Sequence, residues 1–142
     1  MRVLGVLAGS LAIALVAWML GRRDAVVASL LVAPAAVAAE QGLKLAGRRS
    51  LGLESFSYPS GRAALATSLV LLLVLVLRAA AVGPVARVLI AVLGTVYVVA
   101  MAWSRVATGE HLLTDVIGGV SMGVAVALVT VLVLTAWRHR KL

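Results

Sequence analysis

Runs of apolar residues long enough to cross a bilayer recur about five times in this chain. They extend from Val3 to Leu20, Ala25 to Leu43, Ala63 to Val82, Val88 to Trp103 and Leu112 to Trp137. A soluble globule has no use for such repetition, and 63% hydrophobic against 13% charged residues, with a mean hydropathy of +1.15, excludes one. The fold class to expect is all-α: a polytopic transmembrane helix bundle of about five spans, with residues 1–142 forming a single membrane-embedded domain. The bulky Trp18-Met19-Leu20 boundary argues for a retained first span rather than a cleaved leader. Pro34 falls inside the second span, where a membrane helix tolerates it.

Ionisable groups are costly beside such runs, so the polar stretches between them carry the information. The densest is Ser104 to Asp115, SRVATGEHLLTD. His111 and Asp115 are four apart at the start of a helical run and so share a face. The carboxylate can accept from one ring nitrogen, set the tautomer and leave the other nitrogen free as a nucleophile or base. Thr108 and Gly109 offer a turn and an N-cap just before, and Arg105 adds a positive charge. A helix N-terminus and an arginine beside an oriented imidazole describe an anion site, a phosphate site above all, with a nucleophile in it. The plainer alternative makes these interfacial residues, with Arg105 snorkelling or pairing with Asp115 and Glu110 only favouring the first helical turn.

The longest connector is the other polar stretch, running from Lys44 through Arg48-Arg49-Ser50 to Tyr58-Pro59-Ser60-Gly61-Arg62. Pro59 and Gly61 punctuate a turn and Ser60 is a good N-cap, so a second helix N-terminus points at this loop. Counting crossings puts both polar loops on one side of the membrane, where the two helix ends can meet. Arg22, Arg23, Arg78, Arg87, Arg138, Arg140 and Lys141 lie on the other side. Six basic residues lie on the loop side, several of which the site would use, and with those set aside the positive-inside bias places the C-terminus in the cytoplasm and the polar loops outside, most simply at the plasma membrane.

The net charge of +8 sits in short connectors and forms no contiguous patch for nucleic acid, so phosphate or anionic lipid is the expected partner. The chain has no cysteine and 2 histidines, which argues against a disulfide, a thiolate nucleophile or a His-based metal site. His139, in the basic tail, reads as solvated. Gly118, Gly119 and Gly123 read as close-packing positions between spans.

The spacing SR, five residues, H, three residues, D, with an upstream PSG on the same side, resembles the third and second signatures of the type-2 phosphatidic acid phosphatase and haloperoxidase superfamily. LKLAGRRS resembles a degenerate first signature, so the likeness spans Leu43 to Asp115. It implies that Lys44, Arg49, Ser60, Gly61 and Arg105 bind phosphate, that His111 attacks phosphorus and that Asp115 orients it. It implies no cofactor or metal. Two positions depart from the pattern. Leu51 and Gly52 stand where the family has Arg-Pro, with Arg49 nearby as a partial substitute. Arg62 stands where the family has the histidine that protonates the leaving group, and a guanidinium does not donate protons at ordinary pH. The family's bundle also has one more span at the N-terminus.

The resemblance leads to an integral membrane lipid phosphatase acting on a phosphate or diphosphate head group, such as a phospholipid phosphate or polyprenyl diphosphate, through a phosphohistidine intermediate. Arg62 would then be the catalytic residue that departs from type. The competing expectation is a catalytically impaired relative that binds such lipids without turnover, favoured by Arg62 and Leu51 and opposed by the intact Arg105, His111 and Asp115 set. A small transporter or assembly subunit, with these residues only capping helices, is the third possibility.

Overall fold

The structure is a computed structural model and describes residues 2–47, 58–78, 80 and 82–140. These form five helices and no strand: α1 (Arg2–Met19), α2 (Arg23–Gly47), α3 (Gly61–Arg78), α4 (Pro84–Ala107) and α5 (Leu113–His139). Four of them, α2 to α5, contain stretches long and apolar enough to cross a membrane; in α1 the apolar stretch Leu7–Met19 is shorter. The protein is a helical membrane protein, as the apolar runs require.

Helix ends differ from the apolar runs because hydropathy marks what lies in lipid, whereas capping chemistry decides where a helix stops. Helix α4 begins at Pro84, not Val88, since proline suits the first helical turn, where its missing N–H is no loss. It also runs a full turn past Trp103, to Ala107. Helix α3 stops at Arg78 instead of Val82, and α2 continues without a break through Pro34 to Gly47. Gly21, at φ 69°, turns the chain from α1 into α2. There Arg22 N–H donates to the Ala17 carbonyl at 2.8 Å and Gly21 N–H to that of Trp18 at 2.9 Å, which satisfies the last carbonyls of α1.

Small residues dominate the interior. Ala17, Ala28, Val32, Leu72, Val76 and Ala127 form one cluster where α1, α2, α3 and α5 converge. In lipid, close backbone approach and hydrogen bonds drive such packing more than the hydrophobic effect does. Helices α3 and α5 illustrate this. A side chain at Gly119 would collide with the Ser60 carbonyl, and one at Gly123 with the Ala64 carbonyl. The buried Ser68 hydroxyl donates to the Ala64 carbonyl at 2.7 Å and reaches the Gly123 carbonyl at 3.1 Å. The close-packing reading of these glycines therefore holds. Gly123→Ala is expected to destabilise the bundle by about 1–3 kcal/mol. A lowered unfolding midpoint in detergent is the readout, and an unchanged midpoint would contradict the packing.

Helix α4 lies on the outside. None of its residues is buried, and it rests chiefly on α3, with Gly94 admitting Val70. Its outward Val88, Val92, Val96 and Val99 are exposed to the surroundings, as suits a lipid-facing helix. Some hydroxyls along the spans are satisfied within their own helix: Thr95 donates to the Ala91 carbonyl at 2.8 Å and Thr130 to the Val126 carbonyl at 2.7 Å.

Candidate functional site

Four helix ends meet at one end of the bundle: the C-termini of α2 and α4 and the N-termini of α3 and α5. The junction is made by backbone. Ser60, just before α3, donates its N–H to the Asp115 carbonyl in the first turn of α5 at 2.9 Å. The two helix N-termini expected to meet do so, and Gly119 is what allows the approach.

The Ser104 to Asp115 window is arranged differently from its sequence reading. Arg105 is in the last turn of α4, not in a loop. Thr108 caps the end of that helix instead of starting the next one, its Oγ1 donating to the Ser104 carbonyl at 2.8 Å. The helix runs on because nothing in Ser104-Arg105-Val106-Ala107 opposes it. It ends at Ala107, and Gly109, two residues on with a φ of 70°, lets the chain reverse. The reversal carries His111 N–H back onto the Arg105 carbonyl at 3.2 Å. The N-terminal cap of α5 comes from within the helix: Asp115 Oδ2 accepts the Leu112 N–H at 3.0 Å, the reciprocal half of a capping box.

This places His111 before α5, not on it, yet still beside Asp115. The Asp115 carboxylate is fully buried, and its Oδ2 lies 3.8 Å from His111 Nδ1, farther than the hydrogen bond expected from the spacing. His111 Nδ1 is itself buried and has no hydrogen-bond partner among the described residues. Arg105 Nε and Ser60 Oγ, also buried here, share that condition. Ser60 occupies the N-cap position, but its side chain does not make the expected cap.

The cations are not bare. Arg105, with a side chain only 13% exposed, sets Nη1 against Glu110 Oε2, and Arg62 Nη1 approaches the same oxygen at 3.9 Å. Lys44, in the last turn of α2, pairs with Glu40 one turn earlier at 2.5 Å. The Glu40 carboxylate also packs directly against the Cα of Gly61, where any side chain would collide with it. The structure therefore joins Ser60, Gly61, Arg62, Arg105, His111 and Asp115 in one corner, with Lys44 attached to it through Glu40. Arg49 lies outside the described residues.

Glu40 and Glu110 are the residues that the sequence reading did not assign to the site. Glu40 carried a signal, the i, i+4 spacing to Lys44. Glu110 was read as a first-turn acid, and its contacts with residues from two other helix ends leave no mark on the local pattern. Beside the corner, an open groove of about 630 Å³ is lined by Leu43 and Tyr58 and by Thr114, Ile117, Gly118, Ser121, Met122 and Ala125 of α5.

The family model described as the PAP2 superfamily matches residues 33–139. No curated protein and no solved structure matches the chain.

Proposed function

The chain belongs to the PAP2 superfamily, and on that premise we propose that it is an integral membrane lipid phosphatase that cleaves a phosphate or diphosphate head group through a phosphohistidine intermediate. Membership supports phosphatase-type chemistry. The observation that carries the finer reading is the corner itself, where two buried donors, Arg105 Nε and Ser60 Oγ, lack hydrogen-bond partners among the described residues while His111 Nδ1 faces Asp115. Buried polar groups left so are expensive, and an oxyanion between two helix N-termini would satisfy donors of this kind.

In this reading Arg105, Arg62, Ser60 and the N–H groups opening α3 hold the phosphoryl oxygens, with Lys44 at the edge of the site. Positioning and charge neutralisation supply most of what phosphoryl transfer needs. The free nitrogen of His111 attacks phosphorus, a P–N bond forms, and the bond to the leaving oxygen breaks. Water then cleaves the P–N bond and releases inorganic phosphate. Asp115 steadies the imidazolium. The 3.8 Å gap to Nδ1 is of the kind that closes when substrate binds. The groove supports a lipid substrate, because its lining descends α5 from Thr114 beside the site to Ala125. At 1.5 Å per residue that is about 16 Å, roughly half a hydrocarbon core.

The test is phosphate release by the purified protein in detergent from a panel of lipid monophosphates and diphosphates. Release from none of them would leave the impaired-relative reading in its place. The orientation is tested separately. With no native cysteine to interfere, Thr108→Cys is expected to react with an impermeant thiol reagent added outside intact cells, whereas Gly83→Cys at the opposite end is not. The reverse pattern would place the site in the cytoplasm.

A further inference from the structure

Glu110 contacts both arginines that the proposed chemistry would use, and it does so through one oxygen. Oε2 touches Arg105 Nη1 and lies 3.9 Å from Arg62 Nη1. A carboxylate oxygen between two guanidiniums, hydrogen-bonded to Arg105 and within ion-pair distance of Arg62, carries charge where a phosphoryl oxygen would. Glu110 also adjoins His111 and follows Gly109, whose left-handed backbone forms the tip of the loop. Its side chain is 45% exposed, against 13% for Arg105, so of the two it is the one with room to move.

Resting on the phosphate-site reading above, we propose that Glu110 is the resident anion of this seat: its carboxylate holds Arg105 and Arg62 together while the seat is empty, leaves them to a phosphoryl group, and returns as inorganic phosphate departs. Two cations brought together without an anion repel one another, and Glu110 offsets that repulsion between turnovers. The same contact weakens binding of any phosphate by a constant factor, because each ligand must displace the same tethered competitor. A lipid substrate has its chain to compensate. Inorganic phosphate has none, so the factor bears hardest on the product, whose release limits many enzymes.

A through-space alternative is separable from exchange. If Glu110 stayed in place and only repelled ligands, removing it would help a more highly charged anion more. The test is calorimetric titration of inorganic phosphate and of pyrophosphate at pH 8 into the full-length wild type, Glu110→Gln and Glu110→Ala in neutral detergent. Exchange predicts that both variants bind both anions more tightly by the same factor, about fivefold for an ion pair of this exposure. It also predicts that inhibition of lipid hydrolysis by inorganic phosphate sharpens by that factor. Unchanged affinity, weakened affinity, or a clearly larger gain for pyrophosphate overturns the proposal. If the protein shows this binding pattern but releases no phosphate from any lipid, the exchange stands and the enzymatic reading falls.

Discussion

Replacement of His111 by alanine is expected to reduce phosphate release by at least about 10⁴-fold, because losing a covalent nucleophile removes the pathway and not just a contact. The bundle should survive the change. The backbone tie from His111 N–H to the Arg105 carbonyl does not involve the side chain, and the cap of α5 is made by Asp115 on Leu112. Expression, the unfolding midpoint and binding of inorganic phosphate should therefore stay close to wild type while turnover disappears. Wild type stopped in acid-free conditions during turnover should carry phosphate on nitrogen, labile to acid and stable to alkali, and His111→Ala should carry none. Full activity in His111→Ala would end the phosphohistidine reading.

The second large effect concerns Arg62, at the start of α3, and follows from the leaving group. A lipid alcohol leaves poorly unless it is protonated as the bond breaks, and general acid catalysis of that kind contributes about 10²–10⁴-fold. Arg62 cannot supply the proton. A lipid diphosphate expels a phosphate monoester, whose second pKa of about 6 lets it depart as an anion, and a fixed guanidinium can stabilise that anion. The wild type is therefore expected to favour diphosphates. Arg62→His should raise monophosphate hydrolysis by up to about 10²–10⁴-fold and diphosphate hydrolysis by much less. The side chain is 38% exposed and its approach to Glu110 is only 3.9 Å, so the exchange should leave the fold intact. Equal gains on both substrates, or a wild type that prefers phosphatidic acid, would show that Arg62 does not act on the leaving group.

Much of the site was legible in the sequence. The apolar runs of α2 to α5 and the close-packing glycines Gly119 and Gly123 are each contained within one segment and are found where a segment-level argument puts them. The SR to H to D spacing names residues that the structure brings together, though Arg105 lies within α4 and His111 before α5. Thr108 was misread for a reason that is also local. A threonine followed by glycine looks the same at the end of one helix as before the next, and only the hydrogen bond from its hydroxyl to the Ser104 carbonyl tells the two apart.

The sequence by itself determined that the chain enters a membrane as helices, because the cost of placing residues in lipid is summed over each run independently of the others. It likewise named the candidates for phosphate chemistry, because candidacy depends on side-chain type. Only the tertiary structure decided how the charges are paired: Glu110 with Arg105 and Arg62, and Glu40 against both Lys44 and Gly61. It also decided that Asp115 first caps its own helix and stands 3.8 Å from the imidazole. The physical reason is that a charge's energy depends on whatever surrounds it, and in this corner the surroundings come from four helix ends. Their meeting is set by α3 and α5 packing closely at Gly119 and Gly123 and is written in none of the polar stretches themselves.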